Sequence, residues 1–587
     1  MNSLECSDSV MIVKATVPTR NTNVSLPDFR GHHPRPLAFG TSGLRGLVAD
    51  ITDLEAYINT RGFLDYLFKI KDVRKGEIIY IAGDLRPSTD SPNRSIMAAV
   101  ARAIAEAGLK VVSLGKIPTP ALVSFAIEHG QPSIMVTGSH IPFDRNGIKF
   151  NKSQGEILKE DEEGILDAVD HIRRQEYSKS SSDSLFKDDG MFKEGQRPVL
   201  PPVDEQGRKA YADRYLNFFT PGALKGKRVV FYQHSAVGRD LLVDIFERLG
   251  AIVFPAGRSE SFMPIDTEAI TDDKMNVLQE LADAARDQHG VIHAIVSTDG
   301  DSDRPLLAGI DPEGKVHFLG GDLLGMLIAE FLGAKSVAVP ISTNDAVDLK
   351  FIPNGVAPVK TKIGSPHVIK AMQNLLSDAN SGPVVGWEAN GGFLVGSDIT
   401  RKGRMLKALP TRDAALPLIA ALTLAGEKEI TLLELFSQLP PRFSQAALID
   451  NFPQDDGRAL IRRFSPENPE IIEIEFKETD VFITKGDGQG EKAIPTLAEA
   501  FRSVQTELES FFTDELGFDS LIKINTIDGV RAYFKNGDIA HIRPSGNAPQ
   551  LRIYSVANSQ ERADSIAQWG TSEPDGLLRS LQQLVQK

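Results

Sequence analysis

One cysteine, Cys6, occurs in 587 residues. An intramolecular disulfide and a cysteine-based zinc site are therefore excluded, and a reducing, cytoplasmic setting is expected. Long apolar runs are also missing. No stretch reaches the roughly 18 uncharged apolar residues of a membrane span, so no membrane partner is expected. The most apolar segments, 322–334 and 413–425, are broken by acids or Pro and read as buried helices. The opening MNSLECSDSVMIVKATVPTR lacks a basic start and a clean apolar run, so no secretion signal is expected and 1–30 read as a loosely packed tail. Positive charge is in deficit, with 65 Lys and Arg against 79 Asp and Glu and a net charge of −14. Such a chain suits nucleic acid poorly, because phosphate backbones want a basic face. A small anion remains possible as a partner, since a few local Arg residues suffice for it.

At about 100–200 residues per domain, the length predicts several domains. Strand-like and helix-like runs alternate from residue 78. IIYIAGD (78–84), LKVVSLG (109–115) and SIMVTG (133–138) read as strands, and 95–108 and 121–130 as helices. The unit recurs as AEAGLKVVSLG (105–115), ERLGAIVFPAG (247–257) and EFLGAKSVAVP (330–340). This predicts three related α/β domains with mixed sheets, over 31–200, 201–313 and 314–430. The remainder, 431–587, reads as an α+β domain. Its close-spaced strands lie at 521–529, 530–537, 538–545 and 550–557, with a hairpin turn at Asn536-Gly537 and a helix over 558–570. Stretches 178–210 and 452–515 read as loop-rich or insertion-like, and Gly486, Gly488 and Gly490 as a turn.

Four loops follow strand-like runs, where α/β sheets gather ligands. T-G-S-H-I-P (137–142) presents Ser139 beside His140. Adjacent strand-end side chains point apart, so this is not a catalytic dyad, and without a G-x-S-x-G elbow a hydrolase of that type is disfavoured. D-G-D-S-D-R (299–304) alternates Asp299, Asp301 and Asp303. Three converging carboxylates need a cation, and a hard divalent ion fits. An EF-hand is excluded, because Arg304 stands where that loop needs Gly and Ile310 where it needs Glu. G-W-E-A-N-G-G (386–392) offers Glu388 to sugar hydroxyls, although acidic Gly-rich loops are common. R-P-S-G-N-A-P (543–549) combines Arg543, Ser545 and Asn547 with Gly546, the equipment for a phosphate or for a plain turn.

Together the four loops resemble those of the α-D-phosphohexomutase superfamily, which includes phosphoglucomutases and phosphomannomutases. The family order is a phosphoserine loop, a metal loop, a sugar loop and a phosphate loop, and the resemblance runs from about residue 38 to 560. F-G-T-S-G-L-R-G (39–46), which carries Arg45, and T-K-I-G (361–364), which carries Lys362, match two further family segments. The forms of the serine and phosphate loops are most similar to a bacterial phosphomannomutase subgroup. The chain departs from the pattern at Ile141, Ser365, Asn390, Gly392 and Asn547-Ala548.

The resemblance implies interconversion of hexose 1-phosphate and hexose 6-phosphate, with mannose favoured. The route is a phosphorylated Ser139 and a hexose 1,6-bisphosphate, which also serves as activator. Mg²⁺ would be held by Asp299, Asp301 and Asp303 against the phosphoryl group on Ser139. Arg45 and Arg304 would add positive charge there. Lys149 would be the acid/base, with a pKa lowered by those two arginines, and His140 an orienting neighbour. Glu388 and Asn390 would grip sugar hydroxyls, with Lys362 feeding the site. Arg543, Ser545, Gly546 and Asn547 would hold the non-reacting phosphate. All four loops would then meet in one central cleft. Phosphoglucomutase and phosphoglucosamine mutase are the neighbouring activities, and a sugar-phosphate phosphatase or a non-catalytic sugar-phosphate binder the readings outside the mutases. Oligomeric state is left open.

Overall fold

A computed structural model of the chain describes residues 35–40, 43–268, 270–486, 488–545 and 549–586. The expected tail, Gly546 and Asn547 lie outside them. The first α/β unit starts as its sequence dictates. Strand Ile78–Gly83 is followed by helix Ile96–Glu106, where the Ser95 side chain accepts from the Ala98 N–H. Strand Lys110–Lys116, helix Thr119–Glu128 and strand Ser133–Val136 complete two right-handed crossovers.

Three mixed sheets share one topology. Numbered within each unit, the first four strands lie in the order 2-1-3-4, with strands 1 to 3 parallel and strand 4 returning antiparallel beside strand 3. In the first unit these are Ile78–Gly83, Lys110–Lys116, Ser133–Val136 and Arg145–Lys152. In the second they are Arg228–His234, Ile252–Arg258, Ala294–Thr298 and Pro305–Ile310. In the third they are Ser336–Pro340, Val359–Thr361, Val384–Trp387 and Phe393–Val395. The repeat expected from sequence is real but one member is out of phase. AEAGLKVVSLG and ERLGAIVFPAG lead into strand 2 of their units, whereas EFLGAKSVAVP leads into strand 1 of the third. A short helix-Gly-strand pattern fits any αβ junction, so it reports the unit without fixing the position inside it.

The C-terminal part is an eight-stranded antiparallel sheet, with helix Gln560–Thr571 packed against it. Gly537 turns the hairpin between Val530–Phe534 and Ile539–Pro544 at φ 91°. The stretch 452–515 is not loop-rich. It forms helices Gln454–Phe464 and Pro495–Glu509 and strands Ile471–Lys477, Asp480–Lys485 and Gly490–Lys492, which extend the sheet. Its charged, Gly-spaced sequence is that of strands with one half-exposed face, and of these only Gly490–Lys492 lies at the sheet's edge. Stretch 178–210 is mostly coil, but it tucks Phe186 and Phe192 into the first unit's core, with ring centroids 5.1 Å apart.

Two cores decide how the parts move together. One continuous apolar cluster runs from Tyr80 to Leu439 and joins all three α/β units. It contains the apolar helices Gly321–Leu332 and Ala415–Glu427, as the sequence predicts. A separate cluster from Ile449 to Leu581 belongs to the C-terminal sheet. Polar contacts join them: Arg531 Nη2 donates to the Thr343 carbonyl at 3.2 Å, and Arg442 Nε to Asp345 at 2.8 Å. No helix of the described residues is long and apolar enough to cross a membrane.

Inside the large cluster, Tyr211 and Tyr215 of helix Gln206–Phe218 both donate to the buried carboxylate of Asp413, on the third unit. Asp413→Asn weakens two buried charge-assisted bonds, so it should lower the urea midpoint of the α/β part, at a cost of about 1–3 kcal/mol. An unchanged midpoint would show that this clamp contributes nothing.

Candidate active site

The hairpin joining strands 3 and 4 is the same place in each α/β unit, and each such hairpin carries one of the singled-out loops. Ser139 lies between Ser133–Val136 and Arg145–Lys152. The run 299–304 lies between Ala294–Thr298 and Pro305–Ile310. Glu388 and Asn390 lie between Val384–Trp387 and Phe393–Val395.

Ser139 is fully buried and sits in the left-handed region at φ 55°. That conformation turns its side chain off the strand direction. Its Oγ donates to Asp299 Oδ2 at 2.6 Å and lies 3.4 Å from His140 Nδ1. The two side chains therefore approach each other, against the expectation that they point apart. The alternation rule holds for extended backbone only. Burial, then Arg304, Arg45 and Arg412, holds His140 well below its usual pKa, so the imidazole beside Ser139 is neutral.

Asp299, Asp301 and Asp303 place one carboxylate oxygen each within 4.8 Å of one another, and all three are buried. Burial and then the charges of Asp301 and Asp303 push the Asp299 carboxyl well above its usual range. Burial works the same way on Asp303, but Arg412, Lys149 and Arg304 outweigh it and hold that group well below. Asp301 Oδ1, Asp303 Oδ1, Arg304 Nε and Arg45 Nη2 are buried without a hydrogen-bond partner among the described residues. Two orphaned carboxylate oxygens and two orphaned guanidinium nitrogens in one pocket fit a metal ion and an anion together.

Lys149 Nζ donates to Asp301 at 2.6 Å and Asp303 at 2.7 Å. Burial opposes its charge, but the two carboxylates win and raise its pKa. The expected lowering is corrected here. Burial, then Arg304 and Arg412, lowers Arg45 to about 10, so it stays charged. Glu388 accepts from Arg412 Nη1 at 2.9 Å, and Asn390 Oδ1 accepts from the Gly392 N–H at 3.0 Å. Ser365 donates to Glu156 at 2.8 Å. Lys362 is exposed. Arg543 Nε donates to Asp528 at 3.0 Å, and Asp528 also accepts from the Ile363 N–H at 3.0 Å, which ties the C-terminal sheet to the T-K-I-G loop. Arg543 and Ser545 line a cavity of about 570 Å³ with Arg458 and Arg462 of helix Gln454–Phe464.

Three residues escaped the sequence. Arg412 donates through Nε and Nη2 to Asp303 Oδ2 at 3.2 and 2.9 Å, and so joins the second and third hairpins. It also explains Gly392, where a Cβ would lie 2.6 Å from Arg412 Cδ. Arg86 pairs with Asp84 at 3.1 Å and donates to the carbonyls of Ser139, Ile141, Pro142 and Arg145. It holds the serine loop from beneath, against Gly138, whose Cβ would meet Arg86 at 2.6 Å. Thr119 donates to Asp301 at 2.5 Å. The runs G-D-L-R-P-S-T (83–89) and T-R-D-A-A (411–415), an Arg beside an Asp at a strand end, were the available signal.

Comparison with known proteins gives a consistent picture. Models of the phosphoglucomutase/phosphomannomutase family match as α/β/α domain I over 36–176, α/β/α domain III over 320–443 and the C-terminal domain over 487–568. A phosphomannomutase of Salmonella muenchen is 38% identical over 532 residues, covering 90% of this chain and 94% of its own. A phosphomannomutase of Sinorhizobium fredii is 35% identical, covering 91% and 97%. Among solved structures, a putative phosphomannomutase of Thermus thermophilus superposes with TM-score 0.60 at 19% identity, covering 94% of this chain and 100% of that one, which shows likeness of fold.

His541 neighbours Arg543 and donates from Nε2 to the Asp528 carbonyl at 2.6 Å, and burial pushes its pKa down to about 3. An unfolded His titrates near 6.5. Between these values the unfolded chain holds a proton that the folded chain does not. The stability from the neutral ring is complete above about pH 6.5 and is lost as pH falls towards 3, by at most about 1.4 kcal/mol per pH unit. His541→Gln should flatten the fall in urea midpoint between about pH 6.5 and 4. Equal slopes in the two proteins would exclude His541 as a contributor.

Proposed function

The chain belongs to the phosphoglucomutase/phosphomannomutase family, and from that premise we propose how its own residues carry the reaction. It is a phosphohexomutase, an enzyme that moves a phosphoryl group within its substrate, with mannose favoured. The carrying observation is Ser139, buried 2.6 Å from Asp299 in a pocket that gathers orphaned acidic and cationic atoms.

In the proposed cycle Ser139 bears a phosphoryl group at rest. The free hydroxyl of the bound hexose phosphate attacks that phosphorus. The bond from phosphorus to Ser139 Oγ breaks as the bond to the sugar oxygen forms, and the hydroxyl proton passes to a base in the site. The resulting hexose 1,6-bisphosphate turns over, and its other phosphoryl group returns to Ser139 by the reverse steps. Atoms balance without water or free phosphate, and free bisphosphate can reload Ser139, which is the activator role. Phosphoryl transfer needs positioning and charge neutralisation more than covalent chemistry. Mg²⁺ on Asp299, Asp301 and Asp303 would supply that neutralisation against an oxygen of the Ser139 phosphoryl group. Arg45 and Arg304 face the same group with unpartnered nitrogens. Lys149, whose ammonium donates to Asp301 and Asp303, would serve as the acid/base, and an ion held by those carboxylates would weaken their hold on its proton. Neutral His140 orients Ser139 Oγ. Glu388 and Asn390 grip the sugar, and Lys362 reaches in from the T-K-I-G loop. Arg543, Ser545, Gly546 and Asn547 hold the far phosphate.

Helix Leu432–Ser437 packs into the α/β core and strand Val316–Leu319 pairs with Pro305–Ile310 of the second sheet, so we move the last domain junction from 430/431 to 440–442 and the one before it from 313/314 to 319/320, keeping the first at 200/201. A cytoplasmic location suits the lone Cys6.

Coupled assays with mannose 1-phosphate and glucose 1-phosphate, run beside an assay for released phosphate, test the reading. Isomerisation should greatly exceed phosphate release, and the reverse would make the protein a phosphatase. Ser139→Ala should abolish isomerisation while the chain stays folded, its thermal midpoint lowered only by the lost hydrogen bond to Asp299, about 1–3 kcal/mol, and the mass of fresh wild-type protein should include a singly phosphorylated fraction. Near-normal activity in the variant would remove Ser139 from the mechanism. Excess chelator should silence the wild type and Mg²⁺ restore it; activity that survives chelation would discard the metal role. Arg543→Ala should raise KM about ten- to a hundredfold with a smaller effect on kcat, since the far phosphate is bound in ground and transition states alike.

A further inference from the structure

Residues 262–268 of the second unit form a strap without helix or strand. The strap runs between the serine hairpin and the sugar hairpin. At one end the Phe262 ring lies 3.9 Å from the Arg86 guanidinium, beside Gly300, and the Met263 N–H donates to Ser235 at 2.7 Å. At the other end Thr267 Oγ1 donates to the Asn390 carbonyl at 2.9 Å. The strap is therefore fixed to the loops that the mechanism uses, yet none of its own polar groups has a part in that mechanism.

Glu268 ends it. Its carboxylate is half-buried and takes no hydrogen bond from the described residues. The charges around it come from every side of the cleft: Asp266 on the strap, Arg304 from the metal hairpin, Asp322 from the third unit and Arg552 from the C-terminal sheet. Arg552 pairs in strand register with Arg543. Glu268 and Arg552 attract each other but form no ion pair among the described residues, so the carboxylate keeps its acceptor oxygens.

The sugar hairpin itself is short of free acceptors. One oxygen of Glu388 is taken by Arg412, and Asn390 Oδ1 by the Gly392 N–H. A hexose phosphate brings several hydroxyl donors on different edges of its ring, and a site that reads one edge separates epimers weakly. We propose that Glu268 accepts a hydrogen bond from a hydroxyl of the bound hexose, on an edge that Glu388 does not read, and so helps to set sugar specificity. This rests on the phosphohexomutase reading above. The alternative, a latch in which Glu268 closes onto Arg552, predicts no dependence on the sugar.

Calorimetric titration of the full chain separates these. Wild type, E268Q and E268A are each titrated with mannose 6-phosphate, glucose 6-phosphate and inorganic phosphate. E268A should bind at least one hexose phosphate about tenfold or more weakly and change the mannose-to-glucose affinity ratio, with inorganic phosphate held within twofold. E268Q keeps an acceptor oxygen and should recover part of the loss. Inorganic phosphate also reports that the variants remain folded. Hexose phosphate affinities within twofold of wild type overturn the proposal. So does equal weakening of hexose phosphates and inorganic phosphate, which is the signature of a latch or a structural role. Because the readout is binding, a failed isomerisation assay with an intact Glu268 effect would overturn the reaction and leave the sugar contact standing.

Discussion

One oxygen, Oδ2 of Asp303, holds the reaction end of the molecule together. It accepts from Lys149 of the first unit at 2.7 Å and from Arg412 of the third at 2.9 Å, while Asp303 itself belongs to the second. Arg412 carries the chain on to Glu388. Burying such charges is costly, and removing one partner leaves another uncompensated in a low-dielectric interior. The three hairpins are thus fixed to one another by groups that cannot be separated cheaply. The carboxylate proposed to read the sugar stands two contacts from the carboxylate proposed to hold the metal.

The same network sets neighbouring acids to different states. Asp299 has two acids and little compensating charge, and is held high. Asp303 has three cations and is held low. Ser139 lies beside the first of these. A phosphoryl group arriving there would meet Arg45 and Arg304, each with a buried nitrogen that makes no hydrogen bond among the described residues, although Arg304 Nε lies 3.7 Å from Asp303. Charge that is already in place costs no reorganisation when transfer occurs.

Much of this was legible in the sequence because loops of a few residues carry it. Ser139, the three aspartates and Glu388 sit in short runs whose order and spacing survive as text, and the strands before them are strongly apolar. Arg412 and Arg86 were not legible. Arg412 acts through contacts between units, and nothing in a lone Arg-Asp pair says that it faces a carboxylate 109 residues away; Arg86 acts on loop carbonyls 53 to 59 residues further along its own unit, which the text around it does not mark either. The Lys149 shift was misread for the same reason: its neighbours in the fold are Asp301 and Asp303, and the arginines are farther. Stretch 452–515 was misread because its strands carry charge on their half-exposed face, and polar, glycine-spaced text looks like loop.

The split between the cores bears on how one site serves both ends of a sugar. The transfer groups stand on units that share a single apolar cluster, so their geometry is as stiff as a protein interior. The residues proposed to hold the far phosphate stand on a sheet with its own cluster, joined to the rest by polar contacts such as Arg531 to Thr343 and Asp528 to Ile363. Polar contacts of that kind hold less apolar area together than a shared core does. A bisphosphate that must turn over needs its far end released while its reacting end keeps its alignment. Placing the stiff core under Ser139 and the separable core under Arg543 lets the second grip open without disturbing the first.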